Sequence, residues 1–206
     1  MVGRGLGVVQ SYTSKGGLAY KALRLARKVA DAVNIEYKIL DTVESSGGAI
    51  DYTGGLTTLN SVPQGTADNQ RIGDSLKVQN ETMRYYITRN GADCDVRIML
   101  IWDEQNQATG TSDILESTGG FLSVVSPKNY DLRFRSKVLY DKLHHVTFNN
   151  PIVNGECIMP INLHTQFNAA STTIRTGALK LLAVSNVVTT NLPKLFYHSR
   201  MSFTDN

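Results

Sequence analysis

Four histidines, two cysteines and a few closely spaced charges are the residues of this 206-residue chain that could do chemistry. His144 and His145 are adjacent. On a strand, neighbouring side chains point to opposite faces, so the two cannot share a metal ion. His164 and His198 fall in separate segments, with no His-x-His element beside them. Asp93 and Asp95 would share a strand face and could hold a cation, although acids at the start of a hairpin commonly serve turn chemistry. Gly3-Arg-Gly-Leu-Gly7 has the look of a phosphate loop, yet no strand precedes it and no G-K-[ST] follows. There is no G-x-S-x-G elbow and no H-E-x-x-H pair. Cys94 and Cys157 fit no C-x-x-C pattern; they could pair with each other, but buried free thiols are the usual reading. The expectation is a protein without catalytic residues, metal or cofactor.

Basic residues are the stronger signal. Arg133, Arg135 and Lys137 have period 2, which on a strand projects three cations from one face, about 6–7 Å apart. Such a row is a solvated face, a set of ion pairs with a neighbouring strand or subunit, or a phosphate-binding surface. At the N-terminus, Arg4, Lys15, Lys21, Arg24, Arg27 and Lys28 give residues 1–30 a charge of +6 with no acid, so a chain of net charge +3 leaves −3 for the rest. Basic arms of this kind commonly meet nucleic acid or anionic membrane.

The elements that must position these groups differ along the chain. Leu18, Ala22, Leu25, Val29 and Ala32 repeat at helical spacing, with Lys21, Arg24, Lys28 and Asp31 opposite, and predict an amphipathic helix over about 18–33. It either packs on the body with its charges in water or contacts nucleic acid. Its mostly alanine face, without Trp or Phe, argues against a membrane. After residue 34 the period falls to 2. Strands are expected over Ile35 to Val43, Leu76 to Ile87, Val96 to Trp102, Leu132 to Phe148, Cys157 to Phe167, Ala178 to Val187 and Leu195 to Phe203. Leu76 and Val78 are out of phase with Met83, Tyr85 and Ile87, which predicts a β-bulge near Asn80. Val96 to Trp102 is apolar on both faces and should be covered on both. Turns are expected at Ser45–Gly48 and Gly54–Gly55, and a short helical turn within 112–117.

Seven or eight strands with long loops point to a single eight-stranded β-sandwich of jelly-roll type over 35–206, preceded by the basic arm of 1–34. The longest apolar run, Ile98 to Trp102, is far short of the roughly 20 residues that cross a bilayer. No apolar stretch follows the first basic residue, so no secretory signal is expected. Tyr52, Phe121 and Tyr130 lie in the loops 44–74 and 104–130. They are candidate anchors for contacts between subunits, with core packing as the alternative.

Four segments carry a resemblance. Gln64-Gly-Thr-Ala-Asp-Asn-Gln-Arg-Ile-Gly-Asp74 resembles the QGT-x-D-x-QR-x-GD segment of capsid proteins from circovirus-like, circular single-stranded DNA viruses. Ile35-Glu-Tyr-Lys-Ile-Leu-Asp-Thr42, Val96-Arg-Ile-Met-Leu-Ile-Trp-Asp103 with Gln105, and Arg133-Phe-Arg-Ser-Lys-Val-Leu-Tyr-Asp141 follow in the family's order and at its intervals. The resemblance implies a jelly roll with sheets ordered B-I-D-G and C-H-E-F. It also implies sixty copies in a small icosahedral, T=1 shell enclosing single-stranded DNA, with the chain itself as principal partner and the virion as its location. A nuclear address would rest on Arg24 to Lys28, where apolar residues interrupt the basic ones. The runner-up is a jelly-roll binding module, lectin-like or a trimeric ligand.

The arm departs from the family's long Arg and Lys runs. Six cations in each of sixty copies give about 360 charges, and about 540 with Arg133, Arg135 and Lys137. One gene of this length alone carries about 621 phosphates. Polyamines, multivalent cations or a further Arg-rich segment would complete the neutralisation.

Overall fold

The computed structural model describes residues 24–25, 37–116, 123–131 and 133–205. Arg24 and Leu25 are helical. The remainder of the helix expected over 18–33 lies outside the described residues, as do Arg4, Lys15, Lys21, Arg27, Lys28 and Phe121. Residues 37–206 form one compact unit.

Nine strands are found among the described residues: β1 (Lys38–Ala49), β2 (Gly55–Thr58), β3 (Ser75–Thr88), β4 (Cys94–Asp103), β5 (Ser136–Val146), β6 (Ile152–Phe167), β7 (Ile174–Thr176), β8 (Ala178–Ser185) and β9 (Lys194–Asp205). They form two antiparallel sheets, ordered β1-β9-β3-β6-β7 and β2-β8-β4-β5. Relabelled B to I, with the three-residue β7 set aside as an edge addition, the orders are B-I-D-G and C-H-E-F. That is the jelly roll, and β2 and β7 are the strands too short to show a period in the sequence.

Alternation supplies the core. Leu76, Val78, Met83, Tyr85 and Ile87 of β3 face Val96, Ile98, Leu100 and Trp102 of β4 across the sandwich. The phase slip in β3 is a bulge: its register against both β6 and β9 shifts between Val78 and Asn80. Pro160 of β6, which cannot donate to a ladder, pairs with Asn80 beside that bulge. The other face of β4 is buried as expected. Met99 and Ile101, with Leu182 and Val184 of β8, lie under Ile114, Leu115 and Val124. The connection between β4 and β5 is therefore a cover over the second sheet, not the freely exposed loop its composition suggests. Its short helical turn is the 3-10 turn Thr111–Asp113.

Several boundaries move. The Ser45–Gly48 turn is instead a bulge inside β1, whose register against β9 shifts between Glu44 and Gly48. β5 begins at Ser136, so Arg133 and Arg135 belong to the turn before it. β6 begins at Ile152, five residues ahead of the strand expected from Cys157.

Candidate functional site

The segment Gln64–Asp74 folds into a knot around one guanidinium. Arg71 is completely buried. Its Nη2 donates to the carbonyls of Ala169 at 2.7 Å and Ser171 at 2.8 Å, and Nη1 donates to the Gly73 carbonyl. The guanidinium lies 4.1 Å from the centroid of the Phe167 ring. The backbone closes on itself, with Arg71 N–H to Pro63 O and Gly65 N–H to Arg71 O. Lys38 fastens the knot to the start of β1 and the end of β9, reaching Gln70 O at 3.0 Å and Asp205 at 2.8 Å. Burial lowers the Arg71 pKa, opposed by Asp74 and Asp205. The motif is thus a device that ties the β2–β3 connection to the β6–β7 turn.

Arg133, Arg135 and Lys137 do not form a row of free cations. Arg133 is stacked between two exposed rings, 3.6 Å from the Tyr130 centroid and 4.3 Å from that of Phe134. It also donates to the Tyr130 carbonyl at 2.7 Å. Arg135 donates to Gln107 at 2.6 Å, and Lys137 pairs with Glu104 at 3.0 Å. Because the turn replaces the expected strand, period 2 does not apply to Arg133 and Arg135. What the turn assembles is an aromatic-cation-aromatic cluster with Phe134 78% and Tyr130 66% exposed. Tyr52, by contrast, is half-buried between β1 and β2, its N–H bonded to Val187 O.

The histidines separate as their adjacency requires. His145 is exposed beside Asp95, while His144 is buried and its Nε2 lies 2.8 Å from the Tyr85 hydroxyl. That hydroxyl is also 2.8 Å from the Tyr140 hydroxyl, so β3 and β5 are joined across the sandwich. Burial pushes the His144 pKa down to about 4. Asp93 serves the hairpin as expected, accepting from Arg89 at 3.0 Å and from Phe148 N–H at 2.8 Å. Cys94 and Cys157 are both free and buried, and burial pushes each thiol up to about 11. Among the described residues no three His, Cys, Asp or Glu side chains gather as metal ligands.

Glu81 was not singled out by the sequence, but the β3 bulge puts it in register with Met83 and Tyr85. It is wholly buried, with one carboxylate oxygen accepting from Ser199 and the other without a partner. Burial lifts its pKa to about 7, with a smaller push from the Asp41 carboxylate. A raised carboxyl pKa stabilises the fold fully below the unfolded value near 4.5 and loses that contribution as pH rises through 7. His144, depressed, works the other way: its contribution is present above about 6.5 and is lost as pH falls through 4. Wild-type melting temperature should therefore fall as pH rises from 6.5 to 8. Glu81→Gln should abolish that fall, and over the wider range from pH 4 to 8 the wild type should lose on the order of 3 kcal/mol of stability relative to the variant, which a thermal melt series at fixed ionic strength reads.

Neither a family model nor a curated protein sequence matches the chain. Solved structures similar to it include desmodium yellow mottle tymovirus, with 11% identity and TM-score 0.35 over 83% of this chain and 87% of that one. Turnip yellow mosaic virus gives 9% identity and TM-score 0.35 over 82% and 90%. T=1 particles derived from infectious bursal virus give 12% identity and TM-score 0.32 over 83% of this chain but only 32% of that one. The jelly roll itself is established by strand order and register.

Proposed function

We propose that the chain is a viral capsid protein whose copies self-assemble into a closed icosahedral shell of sixty around single-stranded DNA. The observation that supports it most is the place each of the four resembling segments takes in the fold. They supply the start of β1, the Arg71 knot, the doubly buried β4 and, in Arg133–Asp141, the end of the turn before β5 with the first part of that strand, on a sandwich ordered as the resemblance implies. Exposed apolar side chains agree with self-association: Phe134, Phe148 at 74% and Tyr130 are costly to leave in water. Residues 1–30 would supply six cations per copy to the nucleic acid. Arg133, Arg135 and Lys137 would add charge only by exchanging their present partners for phosphate.

The Tyr130–Arg133–Phe134 cluster combines the side chains that dominate interface energetics, already held rigid by stacking. Replacing both rings, Tyr130→Ser with Phe134→Ser, should lower the yield of assembled particles at least tenfold while leaving the melting temperature of the unassembled chain within about 3 °C. Negative-stain microscopy of the purified protein tests the reading. Closed particles of one size support it, and a field of monomers or trimers at every salt concentration contradicts it.

A further inference from the structure

The outer faces of the two sheets are treated differently. That of β2-β8-β4-β5 lies under the β4–β5 connection, pinned by Ile114, Leu115 and Val124. That of β1-β9-β3-β6 has no such cover among the described residues, and it presents Ile39, Val43, Tyr86 and Ile158 to solvent. Alternation along these four strands also sends Lys77, Arg84, Lys194 and Arg200 to this face, against the carboxylates of Asp41 and Glu156. The face is net positive on a body that sums to −3.

At its centre Tyr86 and Phe196, paired across β3 and β9, stack with ring centroids 4.6 Å apart and planes 9° apart. Phe196 leans over Gly47, where any side chain would collide with the ring tip and where the backbone has φ +82. The β1 bulge thereby makes room for the aromatic pair. A concavity of about 750 Å³ opens beside Tyr86 and Phe196, where Arg84 and Lys142 are balanced by Glu44 and Glu156. Arg84 gives only its Nε to Glu156, at 2.7 Å, and its side chain is 75% exposed. Arg200 is bidentate to Asp41 at 2.8 Å.

We propose that this face binds single-stranded nucleic acid, a base stacking against the Tyr86–Phe196 pair while Arg84 and its neighbouring cations meet the phosphates. Flat aromatic rings beside exposed cations on a net-positive face are the combination that holds single strands without sequence preference, since every base offers a π-face. Asn154, opposite Tyr86 on β6, adds an amide at the rim. The inference deepens the reading of the chain as a coat around single-stranded DNA and rests on it. It assigns to the sheet a role that sequence reasoning gave to the arm and the Arg133 region.

The test uses the full chain and a fluorescein-labelled oligothymidylate at low salt, followed by ultraviolet cross-linking and mass mapping of adducts. Tyr86→Leu with Phe196→Leu, which keeps the apolar bulk, should weaken binding at least tenfold. Arg84→Gln, a single exposed change that spares the fold, should weaken it several-fold, and wild-type adducts should fall on Tyr86 or Phe196. Affinities within twofold of wild type, with adducts confined to residues 1–36, would overturn the proposal. So would no binding by wild type, or a loss of self-association by the double variant with nucleic acid absent, which would make the face a contact between copies. Binding that shows the expected losses in a chain that never forms particles would uphold the nucleic-acid surface and sink the shell.

Discussion

Arg71→Leu should destabilise the protein by about 3–5 kcal/mol, the range for removing one partner from a buried charged network. The change removes the cation but not its surroundings. The carbonyls of Gly73, Ala169 and Ser171 lose their donor, and the Phe167 ring loses the group stacked on it. Arg71→Lys keeps a charge yet cannot present donors in three directions from one plane, so it should recover only part of the loss. Urea denaturation of the three proteins reads the order wild type, Lys, Leu. A Leu variant within about 1 kcal/mol of wild type would show that the knot is ornamental. The consequence reaches function, because this side chain bonds the β2–β3 connection to the β6–β7 turn, beside the bond that Phe167 N–H donates to Asp74 O.

The second large effect lies on the opposite sheet. Lys180 of β8 and Asp103 at the end of β4 are paired at 2.9 Å, both nearly inaccessible. Lys180 also donates to Ala108 O at 2.6 Å, and Asp103 accepts from Ala108 N–H at 2.8 Å, so the pair clamps the start of the cover. Asp103→Ala would leave a buried ammonium with one carbonyl, and Lys180→Ala a buried carboxylate with one amide. Each should cost about 3–5 kcal/mol, whereas the double change Asp103→Leu with Lys180→Met should cost far less, since an apolar pair needs no compensation. Limited proteolysis gives the local readout, with cleavage within 104–116 in the single variants only. Equal losses in the single and double variants would refute the clamp.

The fold was legible because period 2 survives wherever one face is buried, and the bulge near Asn80 left its slip in the pattern. Three things were not. β2 and β7 are too short to display a period. Polar residues inside the sandwich carry no sequence mark: Asn60 bridges Leu179 N–H, Gly177 O and Thr165, and is wholly buried. The cover over β4 and β8 looked like an exposed loop because its Gly, Ser and Thr content hides the three apolar side chains that dock it. Among candidate site residues, the spacing of Arg133, Arg135 and Lys137 was read as a strand. Tyr130 and Phe134 flanking Arg133 were the better clue, since an aromatic three before and one after a cation can close on it in a turn. Tyr86 and Phe196 belong to no local pattern at all; they meet only through pairing across 110 residues of chain.

The most direct test of the shell is sedimentation of the purified chain with absorbance followed at 260 and 280 nm. Sixty copies of a 22.6 kDa chain would give a particle of about 1.4 MDa, and a shell around single-stranded DNA should sediment as that species with a nucleic-acid-like absorbance ratio. A stable monomer or trimer across salt and pH would contradict it.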